Sequence, residues 1–287
     1  MPSPLQHIEG LIKAVGVVSA LNILARRAAG LARPTLVRLR DASRDKVMVR
    51  PTQSDLFAAA QVFGWEDYQL SRGVIERLND VAKSWRAAGD VPVIIDGGGN
   101  VGYASVYFAN RFPEAVVLAI EPDPDNFAML QQNTSQHENI KPVHGALWQD
   151  ESGVELRRET SGGWSTSTVP SRNNGGIPSW RIEELLRQVP RSRVLILKLD
   201  IEGSERQVCE ASPQTIRTAP CVIVEPHDYD RVGGGCLTPL YRAISGKEVD
   251  TLVQGDVLVF LDSNLSSPTG SLETVPERET KLRVRSA

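Results

Sequence analysis

Four apolar runs in the 287-residue chain each end in a carboxylate: VPVIID at Asp96, AVVLAIE at Glu121, VLILKLD at Asp200 and CVIVE at Glu225. A carboxylate in that place can accept hydrogen bonds from hydroxyls, face a cation or take a proton, and one alone can equally be a turn cap. Four at equivalent places describe a negatively charged crescent. His227 follows in EPHDYD, and an unperturbed imidazole titrates near neutrality, which makes it the natural proton acceptor of the set. Directly after Asp96, the residues Gly97, Gly99 and Gly102 satisfy G-x-G-x-x-G, a turn whose backbone can approach a ligand. With Glu121 at the end of the next run, that pattern by itself fits a dinucleotide. Asp96 argues against one: it stands where a pyrophosphate would lie and would repel it. S-adenosylmethionine carries an ammonium and a sulfonium and no phosphate, so the acidic crescent suits it better.

Such residues need a scaffold that brings the ends of distant runs together. The runs are β-branched and do not alternate, as expected of strands buried on both faces of a parallel sheet. VGYASVYFANRF, DNFAMLQQNTSQ and SERQVCEA between them read as helices. Alternating strand and helix predicts an α/β doubly wound, Rossmann-like fold, which binds ligands outside the carboxyl ends of its strands. KPVHGALW supplies a fifth strand, and KEVDTLVQ-GDVLVFLD reads as a hairpin at the sheet edge. Before this core, LVRLR and KVMVRP suggest a small hairpin, followed by a helix through SDLFAAAQVFGWEDYQ with Ser54 or Asp55 near its start. The expected organisation is an extension over residues 1–90 covering the acceptor site, a core over 91–262 and a polar, disordered tail over 263–287.

Composition narrows the function classes. A formal charge of −3 offers no footprint for nucleic acid. Three widely spaced cysteines without Cys-x-x-Cys speak against a disulfide framework or zinc ribbon and suit a reducing cytoplasm. LIKAVGVVSALNILA, residues 11–25, is too short to span a bilayer and stops at Arg26-Arg27. It is expected to be an amphipathic surface helix packed against its own domain or a partner, such as a second copy of the chain, with peripheral membrane contact as the alternative.

DGGGNVGYASVYFA, AIEPDPDNFAMLQQN, GALW and above all LKLDIEGSE resemble the FkbM family of S-adenosylmethionine-dependent O-methyltransferases. VRPTQSDLFAAAQVFGWEDY upstream and VEPHD…GGGC downstream extend the resemblance from about Arg50 to Asp262. It departs most over 150–180, where Trp180-Arg181 stands in place of the Leu-Asp pair usual before the next helix. The resemblance implies that Gly97, Gly98, Gly99, Asn100 and Gly102 surround the methionine end of the cofactor, that Glu121 takes the ribose hydroxyls and that Ala146, within Gly145–Leu147, lies beside the adenine. It implies a hydroxyl-bearing acceptor of the sugar, glycolipid or polyketide kind.

Methyl transfer from a sulfonium disperses positive charge, so alignment of the acceptor oxygen and removal of its proton are what a protein can supply. Asp200, Glu202, Glu225, His227 and Asp228 project from the right strand ends. Among them His227 is expected to be the base, with Asp200 orienting the acceptor or the cofactor ammonium. Lys198 should pair with one of the carboxylates. Ser204 with Gln207 reads as a capping box, leaving Glu205 to complement a helix N-terminus. Trp164 could wall the acceptor pocket. Asp200 with Glu225 or Asp228 could hold a divalent cation, but no metal set is assigned. A nicotinamide-dependent oxidoreductase and a catalytically silent binding protein of the same fold are the competing readings.

Overall fold

The computed structural model describes residues 3–158, 166–171, 176–228 and 233–265. Trp164, and all but the first three residues of the expected tail, lie outside them. The chain opens with two helices, α1 (Pro4–Val15) and α2 (Val17–Ala28), where the sequence suggested one. Gly16 separates them at φ +84°, a left-handed conformation that an α-helix cannot continue through. Strands β1 (Thr35–Arg38) and β2 (Lys46–Val49) pair antiparallel as the expected hairpin. Helix α3 (Gln53–Ala59) follows, capped by the Thr52 side chain at Asp55 N, and runs into a π-helical turn at Ala60–Gly64. Arg50 closes a bidentate pair with buried Asp55 (2.7 Å) and also donates to Asn126 (2.7 Å), tying this layer to the core.

The core begins after α4 (Arg72–Ala87) with β3 (Val91–Gly97), α5 (Tyr103–Arg111), β4 (Val116–Glu121), α6 (Pro124–Thr134) and β5 (Ile140–His144). Gly145 breaks the fifth run, so Ala146–Leu147 forms a separate short strand, β6. Next come the antiparallel pair β7 (Val154–Arg158) and β8 (Thr166–Pro170), then β9 (Ser179–Trp180), which pairs with β6. The chain returns to the sheet through α7 (Ile182–Arg187) and β10 (Ser192–Leu199). It finishes with α8 (Glu205–Ala211), α9 (Pro213–Thr218), β11 (Cys221–Val224), α10 (Thr238–Ile244) and the hairpin β12 (Val249–Gln254) and β13 (Val257–Asp262).

The seven-stranded sheet has the order β12-β13-β11-β10-β3-β4-β5, with β11 through β5 parallel and the hairpin antiparallel at one edge. The β-branched runs are buried because helices cover both faces, with Val93 and Ile95 in one core cluster and Ile94 in the other. This is the α/β doubly wound fold expected from the sequence. Its order makes β11, β10, β3 and β4 consecutive neighbours, so Glu225, Asp200, Asp96 and Glu121 gather at one end of the sheet.

Candidate active site

The register sets the centre of the site. Lys198 on β10 lies directly across from Asp96 on β3, and two residues along the same face brings Asp200. The Lys198 ammonium sits 2.9 Å from Asp96 Oδ1 and 3.5 Å from Asp200 Oδ2, and donates to the carbonyls of Gly97 and Gly98 (3.1 Å each). Burial works against its charge, but Asp96 and Asp200 outweigh that and raise its pKa. Asp96 was expected to face the cofactor. Instead it is fully buried, bonded to Lys198 and accepting from the Ser105 hydroxyl at 2.5 Å. A carboxylate neutralised in this way no longer repels a phosphate, so that argument against a dinucleotide does not hold.

The glycine turn is shaped by its own surroundings. A Cβ on Gly98, at φ +73°, would fall 1.8 Å from the Asp200 carbonyl oxygen, so turn and strand end meet backbone to backbone. The spaces beside Gly97 and Gly99 are filled by Leu147 and Leu130. The glycines therefore serve protein packing first. Gly102, also left-handed, starts α5 and donates to the Gly99 carbonyl (2.8 Å).

Glu121 holds the turn from its other side: its carboxylate accepts from Asn100 N (2.8 Å) and Asp123 N (2.9 Å). Burial pushes its pKa up to about 7 against those hydrogen bonds. Behind it the Gly145 N–H donates to the Glu121 carbonyl, and buried Ala146 follows. His144 is structural, its Nε2 3.2 Å from the Pro122 carbonyl and its ring tilted against Phe127. A pocket opens between the turn and the strand end, lined by Gly98, Gly99, Asn100, Lys198 and Asp200, with Tyr68 over it. The Tyr68 hydroxyl donates to Asp200 at 3.4 Å, and Ala58, Gln61 and Val62 complete the wall. No local pattern in WEDYQ marks Tyr68; only the fold brings it here.

The other half of the site is built around His227. Its Nδ1 lies 2.9 Å from Glu205 and its Nε2 3.4 Å from Glu202, and the ring is buried. Burial disfavours the charged ring, but hydrogen bonding to Glu202 and Glu205 overcomes this and raises the pKa to about 12. The neutral base expected at His227 is therefore an imidazolium. The expected capping box is absent as well: Ser204 makes no cap with its side chain, and fully buried Glu205 accepts from Gly203 N and His227. Glu205 positions the imidazole. Its neighbour Glu202 adopts φ +53°, beside Gly203 at +91°. Burial and nearby Asp200 push Glu225 up to about 9, so it carries a proton at neutral pH. Asp228 accepts from Cys236 N and is taken up in its loop.

Asp200, Glu202 and His227 each bring one donor atom within 4.8 Å of the others. Two carboxylate oxygens and an imidazole could hold a divalent cation, with Glu205 on the far ring nitrogen as the orienting partner. The sequence reading offered Glu225 or Asp228 beside Asp200 instead.

Residues 96–251 match the Methyltransferase FkbM domain, more than half of the chain. The chain belongs to the FkbM methyltransferase family. Its cofactor is S-adenosylmethionine. The residues fit that molecule, since the pocket pairs open backbone at the glycine turn with the Asp200 carboxylate and, among the described residues, no basic group beyond the neutralised Lys198. Methyltransferase 1 of Beauveria bassiana is 24% identical over 144 residues, covering 42% of this chain and 57% of that protein. The hexuronic acid methyltransferase AglP of Haloferax volcanii is 26% identical over 138 residues, covering 47% and 56%. This chain thus spans little more than half the length of the curated relatives it matches. Among solved structures, TYW2 of M. jannaschii in complex with AdoMet aligns over 80% of this chain and 85% of that one, at 13% identity and a TM-score of 0.36.

Proposed function

We propose that the protein transfers a methyl group to a hydroxyl oxygen of a sugar, glycolipid or secondary metabolite. The observation that carries this reading is the pocket in which the glycine turn, braced by Glu121, faces Asp200. The hexuronic acid methyltransferase among the relatives supports a sugar-like acceptor. Bound S-adenosylmethionine would supply an electrophilic methyl whose sulfonium charge disappears on transfer. The protein then has to align the acceptor oxygen and take its proton. Asp200 fits that task, since it lines the pocket and is oriented by Lys198 and Tyr68. His227, held as a cation, would fix Glu202 at the rim.

A second reading of the proton step is favoured by the Asp200, Glu202 and His227 cluster. A divalent cation there would bind the acceptor oxygen and lower its pKa, making a free carboxylate base unnecessary.

The test combines calorimetry with S-adenosylhomocysteine and labelled-methyl transfer to uronic acids, glycolipids and phenolic hydroxyls. Asp200→Asn should bind S-adenosylhomocysteine as the wild type does and lose about 10²–10⁴-fold in turnover, the range for a lost general base. Loss of turnover to chelator, restored by Mn²⁺, would assign the proton to the metal instead. A protein that binds S-adenosylhomocysteine and methylates no acceptor is a binding protein of this fold, and the proposal fails. NAD binding without S-adenosylhomocysteine binding would overturn it at the cofactor.

A further inference from the structure

The first fifty residues differ in charge from the rest of the chain. They hold nine Lys or Arg against three Asp or Glu, a balance of +6 in a protein whose formal charge is −3. Among the described residues, seven of the ten large exposed hydrophobics fall between Leu5 and Leu36. The two properties meet on α2. Its inner side, with Ala20 and Ile23, is buried in the core. Its outer side carries Val18, Leu21, Ala25 and Ala28 at helical spacing, all exposed, with Val18 84% accessible. Its only charges are Arg26 and Arg27 in the last turn. A helix apolar on both sides normally has both sides covered.

Strand β1 extends this surface. The Arg40 N–H donates to the Ala14 carbonyl just before α2, and Arg26 donates to the Arg33 carbonyl near the helix end, so the strand lies alongside α2 in the opposite direction. Val37 and Leu39 enter the same core cluster as Ala20 and Ile23. The outward positions of the strand are then Leu36, Arg38 and Arg40, all exposed, with Lys46 opposite Arg38 on β2. The result is an apolar stripe bordered by Arg33, Arg38, Arg40 and Lys46.

We propose that this face docks on an anionic lipid bilayer. The charge complements the surface, about 1 kcal/mol per basic residue close to anionic lipid converting to roughly a fivefold gain in partitioning each. The apolar stripe would enter the headgroup boundary as an in-plane helix does. No helix among the described residues is long and apolar enough to cross a membrane, so the contact is peripheral. A second copy of the chain is a poorer occupant, because self-association here would press two strongly basic surfaces together.

The full chain should sediment with vesicles of phosphatidylcholine and phosphatidylglycerol, and far less with phosphatidylcholine alone. Added salt should weaken the binding. Val18→Glu with Leu21→Glu, and separately Arg38→Glu with Arg40→Glu, should each weaken it about tenfold or more. Circular dichroism melting and S-adenosylhomocysteine affinity of these exposed variants should match the wild type, so a folding defect would be visible. Absence of wild-type binding to phosphatidylglycerol vesicles would overturn the proposal. Equal binding to both vesicle types would do the same. So would a wild-type dimer that Val18→Glu with Leu21→Glu makes monomeric, since the stripe would then be a self-interface.

Discussion

At the carboxyl end of the sheet, charges are buried and answered within a few ångströms, Asp96 by Lys198 and Glu205 by His227. In the α2 and β1 layer Arg38 and Arg40 are exposed and apolar side chains stand open beside them. The two regions are nevertheless joined through Arg50, Asp55 and Asn126 and through Asn133, which accepts from Met48 N (2.6 Å) and donates to the Val101 carbonyl (2.7 Å) beside the glycine turn. The contrast concerns where each charge finds its partner. At the sheet end the fold supplies it, so removing one member leaves a stranded ion. On the outer layer Arg38, Arg40 and Lys46 stand exposed to solvent, so a change there costs little until a surface binds.

That difference is tested most strongly with lysines. Lys198→Met should destabilise the protein by about 3–5 kcal/mol in urea unfolding, because Asp96 is left buried without its counter-ion. Lys46→Met, on the exposed β2 position, should stay within about 0.5 kcal/mol. Similar losses in the two variants would erase the distinction. A smaller effect is expected in cofactor binding. Glu121→Ala should weaken S-adenosylhomocysteine binding by about 1.5–3 kcal/mol, the scale for hydrogen bonds to a charged group, read by calorimetry. Leu36→Ala should leave that affinity unchanged.

The last effect is a slope. Glu121 and Asp67 are pushed up to about 7 and Glu225 to about 9, chiefly by burial, while hydrogen bonds to Glu202 and Glu205 overcome burial to raise His227 to about 12. In each case the folded state keeps a proton that the unfolded chain has released. Stability is therefore full below the unfolded pKa values and falls as pH rises through the folded ones. Between pH 7 and 9 the fall belongs to Glu225 and His227, at up to about 1.4 kcal/mol per pH unit for each group. Above that range buried Cys209 and Cys221, pushed up to about 12, join His227. Glu225→Gln should flatten it to the His227 share alone between pH 7 and 9, measured as urea midpoints. An unchanged slope would mean that Glu225 ionises normally in the folded protein.

Much of the sheet was legible because burial on both faces writes itself into the sequence as unbroken β-branched runs. That Asp96, Glu121, Asp200 and Glu225 gather at one end of the sheet was legible from the strand ends, as was the pairing of Lys198 with a carboxylate. The negative charge expected there was not, since Asp96 is buried against Lys198 and Glu225 holds a proton. What the sequence hid depends on distant contacts. Ser204 and Gln207 have the spacing of a capping box, but the loop after β11 brings His227 onto Glu205 and gives that carboxylate another partner. The same contact turned the expected base into a cation. The first helix was misread as continuous because Gly16 counts only as a weak helix former until its left-handed conformation is seen. Tyr68 reaches Asp200 across 132 positions of chain, which no local pattern can encode.

The contact of Gly98 with the Asp200 carbonyl has a consequence for how the pocket can change over evolutionary time. The cofactor side and the reacting side share one backbone seam, with no side chain between them to resize. Adjusting either by substitution shifts both, so innovation is confined to the roof. Ala58, Gln61 and Val62 come from a layer outside the sheet, and their side chains can vary without moving the seam, whereas Tyr68 in the same layer is tied to Asp200. A graft exchanging that stretch between relatives is the economical route to a new acceptor preference, and the strand ends would be the part to leave alone.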